Sequence, residues 1–210
     1  MRISLISSVI ILTISLTSSA LFLGRGNRVA SLKRRILGLA TKTKRGLIET
    51  DSDREQMRSM FEEMEKLNPY VDALSCKYTS GTWSLEYTTS SAILGRGGTE
   101  RVGPILQMLD TNNLRAANSE TLGYFGGALK VKRKVRADLK PVTKSLADVR
   151  FREFSFFGGD LLKVPLPEKT GFTGTLDVTY IDQDFRLSRG DKGNIFVLTK
   201  FNDNVSVSEI

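Results

Sequence analysis

The chain has 210 residues, 40% of them hydrophobic, with a formal net charge of +8, one cysteine and no histidine. That is enough for one globular domain with its own core, and it leaves no Cys/His zinc site, no intrachain disulfide and no Ser-His or Cys-His catalytic pair. Nine of the 31 cations precede Glu49, the first acid, and the other 22 face 23 acids, so the body is near neutral and a nucleic-acid surface loses its support.

In chain order, Arg2 is followed by an uncharged, Ser/Thr-containing apolar run from Ile3 to Leu16 and by small residues at Ser18-Ser19-Ala20. Residues 1–20 are therefore expected to be a signal peptide. They are too polar for the stretch of about 20 apolar residues that a spanning helix needs. Residues 21–30 are basic and acid-free, with an aromatic near the start at Phe22.

Residues 31–69 are expected to be helical. Leu32, Ile36, Leu39 and Ala40 share one face, Lys33, Arg34, Lys42 and Arg45 surround it, and Gly46 supplies a stop. Ser52-x-x-Glu55 is a capping-box pattern for a second helix. Met57, Met60, Phe61, Met64 and Leu67 follow at helical spacing until Asn68-Pro69. This stripe reads first as core packing; the alternative is an adaptable lid over an apolar ligand, since Met repacks easily.

Residues 70–202 switch to strand periodicity. Trp83, Leu85 and Tyr87 alternate with Ser84, Glu86 and Thr88, and further strands are expected over residues 105–109, 114–117, 131–139, 149–157 and 161–166. The stretch from Gly174 to Lys200 reads strand, turn, strand, turn, strand. In it Leu176, Val178 and Tyr180 alternate with polar residues, and turns fall at Asp182-Gln183-Asp184 and at Asp191-Lys192-Gly193-Asn194. Eight or nine short antiparallel strands predict a mainly β (α+β) domain: a closed up-and-down barrel preceded by two helices, with residues 203–210 as a tail.

This string is similar to the closing signature of the plastid lipid-associated (fibrillin) family, T-Y-L-D-x-D-x-R-I-x-R-G-D-K-G-N-x-F-V-L. Leu67-Asn68-Pro69, the run from Gly81 to Ser90, Gly103 to Asp110 and Val149-Arg150-Phe151 resemble its N-P, G-x-W-x-L-x-Y-T-T-S, G-P-x-x-Q-x-I-D and V-x-F segments, whereas residues 118–146 depart from it. The resemblance implies a lipocalin-like barrel, with Arg186 or Arg189 packed over Trp83 to close one end as a structural element. It also implies a non-enzymatic partner of apolar plastid lipids (prenylquinones, carotenoids or galactolipids) at plastoglobules or thylakoids. Residues 1–30 then read as the two-part address, signal peptide plus transit peptide, of a plastid enclosed by extra membranes. The alternatives are a coat protein with a filled barrel, or an accessory factor or enzyme in quinone biosynthesis.

Trp83, Leu85, Tyr87, Leu176, Val178 and Tyr180 are the expected ligand-lining residues. Lys130, Lys132, Lys134 and Arg136 form a basic stripe. A solvated strand face is its default reading, and contact with anionic lipid headgroups is the alternative, at about 1 kcal/mol per cation. No cofactor or metal is expected: with Asp182 counted as the first position, Arg186 occupies the fifth and no Glu stands at the twelfth, so the calcium-loop spacing fails. The loop at Gly95-Arg96-Gly97-Gly98 lacks the Lys-Ser/Thr of a phosphate cradle.

Overall fold

The computed structural model describes residues 24–95, 99–157, 162–167 and 172–202. The expected signal peptide, Phe22, Arg96-Gly97-Gly98 and the C-terminal tail lie outside them.

Helix α1 covers residues 24–42, beginning inside the stretch expected to be transit-like. Its apolar face (Leu32, Ile36, Leu39, Ala40) is buried as the spacing predicts. The helix unwinds through Lys44, Arg45 and Gly46, all at positive φ, and the Arg45 amide closes back on the Ala40 carbonyl at 2.9 Å. Gly46 is needed for more than its φ of +95°: a Cβ there would lie 2.6 Å from the Thr88 carbonyl oxygen.

Helix α2 is Asp51–Glu65, and its cap corrects the sequence reading. The reciprocal box is formed by Thr50 and Asp53, not by Ser52 and Glu55. Thr50 Oγ1 accepts from the Asp53 amide, and Asp53 Oδ2 accepts from the Thr50 amide, both at 3.1 Å. Starting the helix at Asp51 sets two carboxylates in the first turn, where the helix dipole favours them, and brings Asp53 within 2.7 Å of Lys42 Nζ on α1. The Lys42 bond, followed by those from Thr50, lowers the Asp53 pKa to about 2.

The strands are β1 (Gly81–Thr88), β2 (Glu100–Arg101), β3 (Leu106–Asp110), β4 (Arg115–Tyr124), β5 (Leu129–Pro141), β6 (Leu146–Phe156), β7 (Leu162–Pro165), β8 (Thr173–Ile181), β9 (Phe185–Arg189) and β10 (Ile195–Asn202); a short helix α3 (Ser91–Leu94) follows β1. All the pairings are antiparallel, and the β4–β5 and β1–β10 pairs close an eight-stranded meander in the order β1, β3, β4, β5, β6, β8, β9, β10. The short strands β2 and β7 extend β4 and β6 outside this ring. Closure removes exposed strand edges, and this is the lipocalin-like barrel that the resemblance implied.

Four register shifts shape the barrel, one of them in β10 opposite the step from Thr82 to Trp83. In β1 the pairing slips between Leu85 and Tyr87, in β8 between Val178 and Tyr180, and in β6 opposite the step from Arg136 to Ala137. A bulge puts one extra residue on one strand and turns the following side chain to the other face. Leu85 and Val178 therefore belong to the lumen core with Trp83 and Leu198, while Tyr87 and Tyr180 join the outer core with Leu187 and Val197. Simple alternation had put each trio on one face.

The helices pack against that outer wall. Met57, Met60, Phe61 and Met64 are buried there with Leu32 and Ile36, against Phe185, Leu187, Ile195 and Val197. The stripe is thus the helix–barrel interface rather than a lid over the lumen. Ion pairs tie the layers together: Lys33 reaches Asp182 at 2.7 Å and also Asp184 in the β8–β9 turn, and Arg189 meets Glu65 through two bonds of 2.8 Å.

Candidate functional site: the barrel lumen

The lumen contains two adjoining lobes, each of about 300 Å³. They share Ala92, Ile93, Gln107, Asn118, Val135, Phe151 and Phe196 on their walls. The rest of the outer lobe is mostly apolar, lined by Leu85, Ile105, Leu106, Phe154, Phe172 and Leu198, with Ser119, Arg133 and Glu120 as its polar members. Inward-facing apolar residues on successive strands produce this surface, and α3 lays Ala92 and Ile93 against it. The size lies at the low end of small-molecule sites, about 300–1,000 Å³, and suits the interior of an eight-stranded barrel.

The opposite end is shut. The segment between α2 and β1 contributes Ala73, Leu74 and Cys76 to the lumen core around Trp83. Trp83 Nε1 donates to the Thr79 carbonyl at 3.0 Å. The Arg186 guanidinium lies 4.9 Å from the Trp83 ring centroid and Lys200 Nζ lies 4.4 Å from it, both within cation–π range. Lys200 also donates to the Tyr78 and Ser80 carbonyls at 2.8 and 2.7 Å. Of the two arginines left open by the sequence, Arg186 is the one over Trp83; Arg189 stacks on Phe61 at 5.2 Å on the outer side. Parity on β9 decides this, since residues 186 and 188 face inward and 185, 187 and 189 outward.

A polar ladder crosses the lumen wall. Arg186 Nη2 donates to Gln107 Oε1, and Gln107 Nε2 donates to Asn118 Oδ1 at 3.2 Å. At the rim Glu120 is held by Arg101 at 2.8 Å and by Arg133. Burial pushes the Arg186 pKa down to about 9, so the side chain stays cationic at neutral pH.

Among the residues singled out from sequence, Leu85 borders the outer lobe and Leu176 the inner one. Trp83 and Val178 are fully buried in the lumen core. Tyr87 and Tyr180 sit on the helix side: the Tyr87 hydroxyl donates to Glu49, and the Tyr180 hydroxyl donates to Asp182 at 2.6 Å. Burial, then the Asp182 bond, raises the Tyr180 pKa. Lumen residues that sequence did not single out are Phe151, Phe154 and Phe196 together with Gln107, Asn118 and Ser188. The alternation of Phe196 and Leu198 was legible. The polar run through Asn118 to Thr121 had no strand signal of its own.

The basic stripe lies on the outer face of β5. Lys130 and Lys132 are exposed beside the β4–β5 hairpin; Lys134 is buried, and Arg136 is engaged by Glu153 at 2.7 Å and Ser155 at 3.1 Å. Next to Lys130 the hairpin presents Tyr124, Phe125 and Leu129, with Phe125 86% exposed. No described helix is long and apolar enough to cross a membrane, and the described residues hold no cluster of three metal-ligating His, Cys, Asp or Glu side chains.

Known proteins with similar sequences point the same way. The chain is 26% identical over 182 residues to a probable plastid-lipid-associated protein 5, chloroplastic, of Arabidopsis thaliana, covering 86% of this chain and 73% of that protein. It is 23% identical to a chromoplast-specific carotenoid-associated protein C1 of an Oncidium hybrid cultivar, covering 82% and 69%, and 25% identical to plastoglobulin-1, chloroplastic, of Pisum sativum, covering 84% and 63%. Against two further plastid-lipid-associated proteins the chain spans about three-fifths of their length. The PAP_fibrillin family profile matches residues 30–199, and the chain therefore belongs to the PAP/fibrillin family of plastid lipid-associated proteins.

Proposed function

We propose that this protein holds one apolar lipid in its barrel lumen at a plastid lipid surface, plastoglobule or thylakoid, without catalysing a reaction. The observation that carries this reading is the apolar cavity of about 300 Å³ walled by Leu85, Ile105, Phe151, Phe154, Phe196 and Leu198. Burying apolar ligand surface there contributes about 25 cal/mol per Å². The relatives are chloroplastic or chromoplastic by name and one is carotenoid-associated, which supports a plastid setting and carotenoids, prenylquinones or galactolipids as ligand classes. Residues 1–30 serve as the two-part address in this reading. Non-catalysis is supported by a chain without histidine and with its one cysteine buried.

Trp83 is the only tryptophan and sits in the lumen core, so its emission tests the proposal. Titrating lipid-free protein with a prenylquinone or carotenoid should change that emission saturably at one ligand per chain. Unchanged emission, together with no lipid recovered by extraction of the native protein, refutes the carrier reading.

Docking on the lipid surface belongs to the same proposal. The exposed hairpin supplies an apolar tip, Phe125 with Tyr124 and Leu129, flanked by Lys130 and Lys132. Such a tip enters the interface while the two lysines meet anionic headgroups.

A further inference from the structure

We infer that Asn118 sets the specificity of the lumen by donating a hydrogen bond from its side-chain amide to a carbonyl oxygen of the bound lipid. The cavity then prefers a carbonyl-bearing ring, of which a quinone is the type, to a hydrocarbon of the same shape. This rests on the carrier reading and deepens it.

A one-way chain of hydrogen bonds ends at this residue. An arginine side chain has donors only, whereas a primary amide has one accepting oxygen and one donating nitrogen. Arg186 is fully buried and donates through Nη2 to Gln107 Oε1, which fixes the Gln107 amide with Nε2 on its far side. Gln107 Nε2 donates in turn to Asn118 Oδ1 at 3.2 Å, and this fixes Asn118 with Nδ2 as the end of the chain. Turning either amide round would set donor against donor. Asn118 Nδ2 itself has no acceptor among the described residues.

Position completes the site. Asn118 and Gln107 line both lobes, together with the apolar Ile93, Val135, Phe151 and Phe196. Asn118 is half-buried, and its unbonded Nδ2, unlike the sealed Nε and Nη1 of Arg186, keeps accessible surface. The charged groups that border the lobes are already engaged: Glu120 is shared by Arg101 and Arg133, and Asp191 accepts from Thr175 at 3.0 Å. The free group where the lobes meet is thus a neutral donor among apolar side chains. Such a donor recovers what it loses on leaving water only from an acceptor, and a hydrocarbon in the same place leaves it unpaired. Its complement is an uncharged oxygen with no proton of its own to place, which a carbonyl supplies. A planar ring carrying that carbonyl has Phe151 and Phe196 to pack against.

The test uses the lipid-free full chain and two probes of nearly one shape, menadione (a methylnaphthoquinone) and methylnaphthalene, with binding measured by calorimetry. Infrared spectra of bound menadione, isotope-labelled at its carbonyls, should show one carbonyl band moved to lower wavenumber, because a hydrogen bond weakens the C=O bond. Asn118→Leu should lose that shift. It should also lower menadione affinity about fivefold, the scale of one neutral hydrogen bond, without weakening methylnaphthalene.

Gln107→Glu tests the direction of the chain. The introduced carboxylate still accepts from Arg186 but cannot donate to Asn118, so the Asn118 amide turns its nitrogen to the carboxylate and its oxygen to the cavity. This variant should lose the carbonyl shift, bind menadione more weakly and bind naphthol, a hydroxyl donor, more tightly than the parent chain does. The infrared measurement on the parent chain needs no variant to fold. An unshifted carbonyl band there, a folded Asn118→Leu variant that keeps full menadione affinity, or failure of both probes to bind overturns the inference. The carrier reading falls with it only if prenylquinones and carotenoids also fail to bind.

Discussion

Single residues fix the ends of the helices and the floor of the barrel. At Gly46 a positive φ coincides with a backbone approach that no Cβ fits, so Gly46→Ala should lower the denaturation midpoint by more than about 1 kcal/mol of stability; an unchanged midpoint would show that the α1–β1 contact is not tight in solution. Asp53 gives a pH signature. Its folded pKa of about 2 is below the roughly 3.9 of an unfolded aspartate. The contribution is therefore complete above pH 4 and is lost as the pH falls towards 2. The unfolding free energy should drop across that window more steeply for the parent chain than for Asp53→Asn, and parallel acid profiles would remove Asp53 from the cause. Thr50→Ala should cost about 1 kcal/mol at neutral pH through loss of the cap, whereas Ser52→Ala should be near neutral. That contrast is one the sequence could not supply: Ser52 and Glu55 match the usual box, but only the docking of α1 brings Lys42 to Asp53 and selects the earlier start.

Elements follow from period, and the bulges change what the period means. The closing strands, the Trp83 strand and both helices were legible because each carries a strong repeat of apolar residues ending at a turn or Pro. Strand β4 ran on to Tyr124 where sequence indicated only residues 114–117, because its central Asn118 and Glu120 face a partly polar lumen wall and leave no apolar alternation to see. The turns of Tyr87 and Tyr180 to the outer face were equally hidden. A bulge is set by register against β10 and β9, which no local pattern records. Consequently Tyr87→Ala and Tyr180→Ala should each destabilise the fold by about 3 kcal/mol yet leave the ligand affinity of the folded protein unchanged. Ala137→Phe, from a residue that borders the inner lobe, should do the reverse: block binding while the protein still folds. If the tyrosine variants fold but lose ligand while Ala137→Phe binds normally, the assignment of inner and outer faces is wrong.

On the scale of the molecule, three regions divide the work. The helices and the outer core give rigidity, the shut end carries the buried cations, and the exposed hairpin at the rim is the part that the proposed function turns towards lipid. Surface charge at Lys130 and Lys132 should make binding to anionic vesicles salt-sensitive, since exposed charges are screened over about 8–10 Å at physiological ionic strength. Lys130→Glu with Lys132→Glu should reduce flotation with anionic vesicles and leave flotation with neutral ones unaltered; equal recovery from both vesicle types, independent of salt, would discard the electrostatic part. Phe125→Asp should weaken both. The whole account stands on the lumen being occupied by lipid in the plastid. Native mass spectrometry of the protein isolated from its own organelle addresses this directly: one lipid mass per chain, absent from Ala137→Phe and removed by organic extraction, is the expected spectrum, and a bare chain mass under conditions that preserve non-covalent complexes would contradict it.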